Sequence, residues 1–178
     1  MRLSEGERAV SIVPRFPLIE EPGQWDDLTL VAATAFLEAE GEPFSGILGV
    51  CWVIRRRAVD WKLGWRGAIL GGDGLAYGDG KPYEALSAWD DDYRVRARAR
   101  LSEAAETVRE PFWKASAAAI WELLPDPVAQ SAYYLNVAVT LKIRGGTLPA
   151  WAADPVDPKK INGAKVAAVI GRHTFVRA

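Results

Sequence analysis

The most informative chemical group in the sequence is the carboxyl of Glu38, which follows an apolar segment. The ten residues before it, 28–37, carry no charge. On a helical wheel Glu38 lies at the edge of the most apolar face, where a carboxylate loses part of its hydration. Glu40 and Glu42 lie nearby and repel its charge, so we expect a raised pKa that suits a general acid. A carboxylate that merely reaches solvent from a helix end fits the same pattern, and both interpretations stay open.

Two helices are predicted to position Glu38. Residues 26–27 are aspartates, which cap helix N-termini, and Gly41 suits the position just after a helix end. Pro43 suits the first turn of a second helix, which we expect to continue through Ile54. The arginines at 55–57 then indicate a solvated helix end that complements the helix dipole. The balanced charge of the chain favours this over a nucleic-acid patch.

The second half of the chain combines helices with short strands. The aspartates at 90–92 predict the start of a helix through Val108, and Pro111 predicts the start of another that ends at Pro125. Beyond that point the apolar pattern changes to one typical of strands. We expect short strands at residues 132–136, 166–170 and 174–177, with a type II′ hairpin turn at 171–172.

Length and composition indicate one globular domain. The chain has 178 residues, of which 49% are hydrophobic and 25% charged, and its net charge is −1. Recurring prolines predict an irregular arm over residues 1–25. Residues 26–178 are predicted to form a single α+β domain, mostly helical, with a small antiparallel sheet late in the chain. This composition excludes a disordered chain and a bulk electrostatic affinity for nucleic acid.

Two residue counts argue against metal and thiol chemistry. The sequence contains one cysteine, Cys51, and one histidine, His173. An internal disulfide, a cysteine-rich zinc site and a histidine metal cluster are therefore excluded, and we expect no metal and no cofactor. Cys51 lies inside an apolar helical run rather than at a helix N-terminus, which argues against a peptidase that uses Cys51 and His173.

No targeting segment or membrane span is predicted. Residues 1–13 lack the continuous apolar region of a signal peptide. The uncharged run at 44–54 is shorter than the roughly 18 apolar residues that cross a bilayer. We therefore expect a chain made in the cytoplasm, without stable membrane insertion.

Glu38 lies in a segment that resembles a known family. Residues 37–43, with Gly46 after them, look like the G-E-A-R-G-E-P-x-x-G block of the SleB-like cell wall hydrolases. These are spore cortex-lytic enzymes and related phage and bacterial proteins that cleave peptidoglycan. Segments similar to five further family motifs follow in order: A-V-A-A-V-I-L-N-R at 50–57, F-S-x-W at 86–89, D-P-T-x-x-A-x-x-Y-x-N at 126–136, P-x-W at 149–151 and I-G-x-H-x-F at 170–175.

The chain also departs from the family pattern. Leu37 replaces a glycine, Glu40 an arginine and Arg56 an asparagine. The Gly-rich stretch at 71–82 is an insertion that looks more like the phage members. These departures could alter substrate detail or pH response, but they leave the matching Glu38 in place.

The resemblance implies a lysozyme-like fold related to lytic transglycosylases, with Glu38 as the one essential glutamate. Glu38 would protonate the oxygen of the MurNAc–GlcNAc bond and then, as a base, take the proton of the C6 hydroxyl as a 1,6-anhydro ring closes. Two alternatives stay open. One is a hydrolytic muramidase of the same fold, with an aspartate from 90–92 as its second carboxylate. The other is a non-catalytic glycan-binding or virion structural protein.

The same resemblance implies a set of substrate-binding residues that combine apolar faces with hydrogen-bonding groups. They are Ser87, Trp89, Tyr133, Tyr134, Asn136 and His173. A core role is equally open for Trp89 and one of the tyrosines, and a structural role for His173. The expected partner is the peptidoglycan glycan strand, with no nucleic acid. We expect a monomer that acts on the cell wall, and a phage endolysin released through a holin-type pore is one setting that the resemblance allows.

Overall fold

The computed structural model describes residues 13–17, 21–71, 89 and 94–177. This part of the protein is α+β, with six α-helices and one three-stranded antiparallel sheet late in the chain. The helices are α1 (Asp27–Ala39), α2 (Phe44–Val59), α3 (Gly64–Leu70), α4 (Arg94–Glu103), α5 (Glu106–Ile120) and α6 (Val137–Ile143). The strands are β1 (Tyr133–Leu135), β2 (Val166–Ile170) and β3 (His173–Val176). Among the described helices, none has both the length and the apolar character needed to span a membrane.

Helix α1 is the central helix of the core and begins and ends as predicted. The Asp26 carboxylate caps it by accepting a hydrogen bond from the Thr29 N–H at 2.9 Å. Nine of its 13 residues are buried, on all sides of the helix, because α2, α3, α4 and α5 pack around it. Gly41, with φ of +81°, turns the chain after the helix. Glu38 therefore lies on the last turn of a helix that the core holds rigidly.

Helix α2 confirms the predicted second helix, with Pro43 at its N-cap. The expectation of a solvated arginine end is wrong. Arg57 is only 8% exposed and its Nε donates a hydrogen bond to the Ala132 carbonyl oxygen at 3.0 Å. Arg56 pairs with the Asp126 carboxylate at 2.5 Å. These contacts tie the end of α2 to the segment that leads into β1, and that partner segment lies about 75 residues further along the chain.

The region around Pro111 also differs from the prediction. Helix α4 ends at Glu103, and α5 begins at Glu106, so Pro111 lies inside α5 rather than at its start. The N–H groups of Val108 and Arg109 bond to the Ala105 carbonyl oxygen and form the first turn. Proline removes one hydrogen bond, and packing of α5 against α1 and α2 outweighs that local cost. The predicted helix start at residues 90–92 lies outside the described residues.

The sheet has the strand order β1-β3-β2, with buried β3 at its centre. It confirms the predicted strands and the hairpin between β2 and β3. Gly171 has φ of +57°, which is the backbone that the first central position of a type II′ turn requires. Gly49 of α2 lies against the sheet: a Cβ there would come within 2.8 Å of the Phe175 ring. This close approach packs the sheet against α2.

The described part of the N-terminal arm packs against the helices. Residues 13–17 have no regular secondary structure, and Pro22–Gln24 form one 3-10 turn. Phe16 stacks on the Trp113 ring with centroids 5.7 Å apart. The Arg109 guanidinium donates from Nε to the Pro14 carbonyl oxygen at 3.2 Å. These contacts attach the arm to the far side of the helical core through α5.

Candidate active site

A cleft of about 590 Å3 lies where the end of α1, the β2–β3 turn, β1 and α6 meet. Four of the residues predicted as site residues line it: Glu38, Tyr134, Asn136 and His173. They come from parts of the chain up to 135 residues apart, and the packing of the sheet against α2, the helix that follows α1, brings them together. Trp151, from the P-x-W segment, lines the same cleft.

Glu38 and Tyr134 face each other in the cleft. Glu38 is half-buried, and the Tyr134 hydroxyl beside it is fully buried. Burial, followed by the charge of the Glu38 carboxylate, raises the pKa of Tyr134 well above its ordinary value of 10.0. The phenol therefore stays protonated at all ordinary pH values. Its O–H is available to donate to Glu38 or to a ligand beside it.

Glu42 is a second carboxylate in the cleft that sequence analysis did not assign to the site. Its side chain is 1% exposed, and it accepts hydrogen bonds from the Arg172 N–H at 2.9 Å and from Arg172 Nε at 2.8 Å. Burial opposes its ionisation, but these hydrogen bonds and the charges of His173 and Arg172 leave the pKa of Glu42 lowered. Glu42 is therefore an ionised carboxylate that is already bound within the protein.

Arg172 joins the hairpin turn to the end of α1. Besides its bonds to Glu42, its Nη2 donates to the Glu40 carbonyl oxygen at 2.9 Å. Gly171 allows this close approach, because a Cβ there would lie 1.8 Å from Glu42 Oε2. The turn is thus held against the loop that follows Glu38 by hydrogen bonds to a charged group.

His173 is buried between the ion pair and the tyrosine. Its Nδ1 lies 3.7 Å from Glu42 Oε1, and its ring meets the Tyr134 ring edge-on with centroids 5.4 Å apart. Burial lowers the pKa of His173; Glu42 raises it and Arg172 lowers it, and the net result is below the ordinary 6.5. The imidazole is therefore neutral near pH 7. Its burial is compatible with the structural role that the sequence left open.

Aromatic side chains form one wall of the cleft. Tyr133 stacks on Trp151 with centroids 4.7 Å apart and an interplanar angle of 18°. The Arg57 guanidinium lies over the Tyr133 ring, 5.4 Å from its centroid, and also lines the cleft. Tyr133 therefore supports Trp151 from outside the cleft. A flat indole face of this kind suits contact with a sugar ring.

The remaining predicted residues have other positions. Asn136 lines the cleft, but its Oδ1 accepts from the Val139 N–H at 3.2 Å and caps α6. Trp89 is 3% exposed, and its indole N–H donates to the Thr34 hydroxyl at 2.9 Å inside the core. This position corresponds to the core role that the sequence left open for Trp89. Ser87 lies outside the described residues.

Sequence reasoning missed Glu42 and Arg172 as a pair, although both lie within the motifs that carry the family resemblance. The signal that could have found Glu42 is its place between Gly41 and Pro43, within the same motif as Glu38. Arg57 also escaped, because an arginine near a helix C-terminus is ordinarily solvated. The burial of Glu42 and Arg57 depends on contacts with partners that are distant in the sequence.

Neither metal ligands nor similar known proteins identify the cleft. Within the described ranges, no three histidine, cysteine, aspartate or glutamate side chains come together in a way that could hold a metal ion. Comparisons of the chain with family models, with curated proteins and with solved structures found no match. The cleft and the motif resemblance are therefore the features that indicate a function.

Because His173 is the single histidine of the chain, its burial has a measurable consequence. Its folded-state pKa lies below 6.5, so the unfolded chain binds a proton more readily as the pH falls below 6.5. The contribution of neutral His173 to the free energy of unfolding is therefore complete above about pH 6.5. It is lost as the pH falls towards the lower pKa of the folded state. We expect urea unfolding to show a larger loss of stability between about pH 7.5 and about pH 5.5 in the wild type than in His173→Gln.

This interval lies above the ordinary pKa of 4.5 of Glu42, so the acid titration of Glu42 falls outside it. An equal loss of unfolding free energy in both proteins would show that His173 is not held neutral by burial.

Proposed function

We propose that the protein cleaves the glycan strands of peptidoglycan at the MurNAc–GlcNAc bond, as a lytic transglycosylase with Glu38 as its acid and base. The observation that carries the proposal is the cleft itself. It unites Glu38 with Tyr134, Asn136, Trp151 and His173, and these five residues come from four motifs of the SleB-like resemblance. The corresponding fold would be a lysozyme-like one, and the site of action the cell wall.

The geometry of Glu38 supports the first step. A half-buried carboxyl on a rigid helix, beside a buried phenol, can lie within reach of a glycosidic oxygen in the cleft. Glu38 would donate its proton to that oxygen as the bond to the muramoyl C1 breaks, and positive charge would develop on C1 and the ring oxygen. Tyr134 would orient the carboxylate that results.

In the second step the Glu38 carboxylate would take the proton of the muramoyl C6 hydroxyl, and O6 would bond to C1. Glu38 gives one proton to the glycosidic oxygen and regains one from the C6 hydroxyl. It therefore returns to its starting protonation state, and no water is consumed. The surroundings of Glu42 support this single-glutamate route. Glu42 lies in the same cleft, but both its oxygens accept hydrogen bonds from Arg172, which leaves it poorly placed to activate a water.

The products test this proposal. We expect digests of purified peptidoglycan to contain 1,6-anhydro-MurNAc ends, lighter by one water than hydrolytic ends and resistant to borohydride reduction. Mass spectrometry before and after reduction distinguishes the two. Reducible MurNAc ends as the main product would instead indicate a muramidase and make Glu42 and residues 90–92 the next positions to mutate. Binding of peptidoglycan without any cleavage would indicate a glycan-binding or structural protein.

A further inference from the structure

Helix α6 presents one whole face to the cleft. The residues on this face recur at the spacing of neighbouring helical positions: Asn136, Val139, Thr140, Ile143 and Arg144. None of the seven residues of α6 is buried. Val139 is 52% exposed and Ile143 is 73% exposed, although both are strongly apolar. We call this surface the α6 face, and its apolar part is open to a ligand that enters the cleft.

Arg144 differs from the other arginines of the cleft, because its guanidinium has no partner among the described residues. Glu42 is paired with Arg172, and Arg57 donates to the Ala132 carbonyl oxygen. The Arg144 guanidinium, by contrast, makes neither a hydrogen bond nor an ion pair within the part of the chain that the structure describes. The α6 face thus joins two exposed apolar side chains to one unmatched positive charge. That combination fits a ligand with small apolar groups and a carboxylate.

We propose that the α6 face binds the peptide stem of the muramoyl residue, with Val139 and Ile143 against its small apolar side chains and Arg144 paired with one of its carboxylates. This inference rests on the proposed function. The stem is attached to the same sugar whose C1 reacts, so its binding surface must adjoin Glu38. The α6 face meets that condition, because Tyr134 and Asn136 lead directly from the glutamate into α6.

The test compares two forms of one substrate. One is intact peptidoglycan, and in the other the stem carboxylates are converted to methylamides, which lose the charge and add only one methyl group. We expect the wild type to cleave the intact form with a kcat/KM about tenfold higher, and Arg144→Gln to lose that preference. The matched control is Lys142→Gln. It removes a cation from the same helix, at an exposed position outside the cleft lining, and should keep the wild-type preference.

A second variant examines the apolar part of the face. Ile143→Ser should lower kcat/KM several-fold on both substrates equally, because methylamidation leaves the apolar groups of the stem unchanged. Equal cleavage of both forms by the wild type, or an undiminished preference in Arg144→Gln, would overturn the inference while the proposed function stands. Cleavage of neither form by the wild type would overturn the proposed function itself.

Discussion

Glu38→Gln is expected to abolish cleavage of peptidoglycan while leaving the fold unchanged. Glutamine has nearly the same shape, so the last turn of α1 and its contact with Tyr134 should persist. The amide cannot donate a proton to the glycosidic oxygen or accept one from the C6 hydroxyl. Loss of one general acid commonly lowers the rate about 10²–10⁴-fold, and the loss should be larger where the same group acts twice. Product release from purified peptidoglycan gives the rate.

Glu40→Gln is the matched control for Glu38→Gln. Glu40 lies two residues further along, but its carboxylate is exposed and pairs with Arg100 at 2.5 Å rather than entering the cleft. An exposed pair of this kind contributes little to stability, so this variant should keep most of the wild-type activity. Activity of Glu38→Gln above about a tenth of the wild-type rate would remove Glu38 from the catalytic role.

Gly171→Ala is expected to be strongly destabilising. The new Cβ would lie 1.8 Å from Glu42 Oε2, and φ of +57° is unfavourable for alanine. The Glu42 carboxylate would have to leave its hydrogen bonds with Arg172, and the turn would have to move away from the end of α1. We expect the free energy of unfolding to fall by about 3–5 kcal/mol, from the combined backbone and charged hydrogen-bond losses. Urea unfolding measures the change.

Gly145→Ala separates the two causes of this loss. Gly145 has φ of +64°, close to that of Gly171, but no atom lies within 4 Å of the position its Cβ would take. Its substitution should therefore cost only the backbone strain, about 1–2 kcal/mol. The excess loss in Gly171→Ala reports on the contact with Glu42. Equal losses in the two variants would mean that the Glu42–Arg172 pair does not hold the turn.

The Glu42–Arg172 pair also explains why the chain can hold two carboxylates in one cleft without making them equivalent. Glu42 stays ionised because its charge is met by Arg172, whereas Glu38 has the buried phenol of Tyr134 beside it. Under the proposed function, these different surroundings would give the two carboxylates separate roles. Glu42 would then act only by holding the hairpin turn and His173 in place.

Local features of the fold were predictable from the sequence alone. The cap at Asp26, the end of α1 near Gly41 and the start of α2 after Pro43 depend on backbone geometry within a few residues. The hairpin turn at Gly171 depends on one residue that tolerates positive φ. Glu38 was also identifiable from local sequence, because the apolar residues that mark it precede it along the same helix.

Only the tertiary structure decided which polar groups are matched. Glu42 and Arg172 are 130 residues apart, and the burial of Arg57 depends on a carbonyl oxygen 75 residues away. Helical periodicity predicts which face of a helix a residue occupies. It does not predict which charge the residue meets, since that depends on how the sheet packs against α2. The tertiary structure also places one exposed face of α6 in the same cleft as Glu38. Arg144 became a candidate ligand-binding residue for that reason, and its position in the sequence does not indicate it.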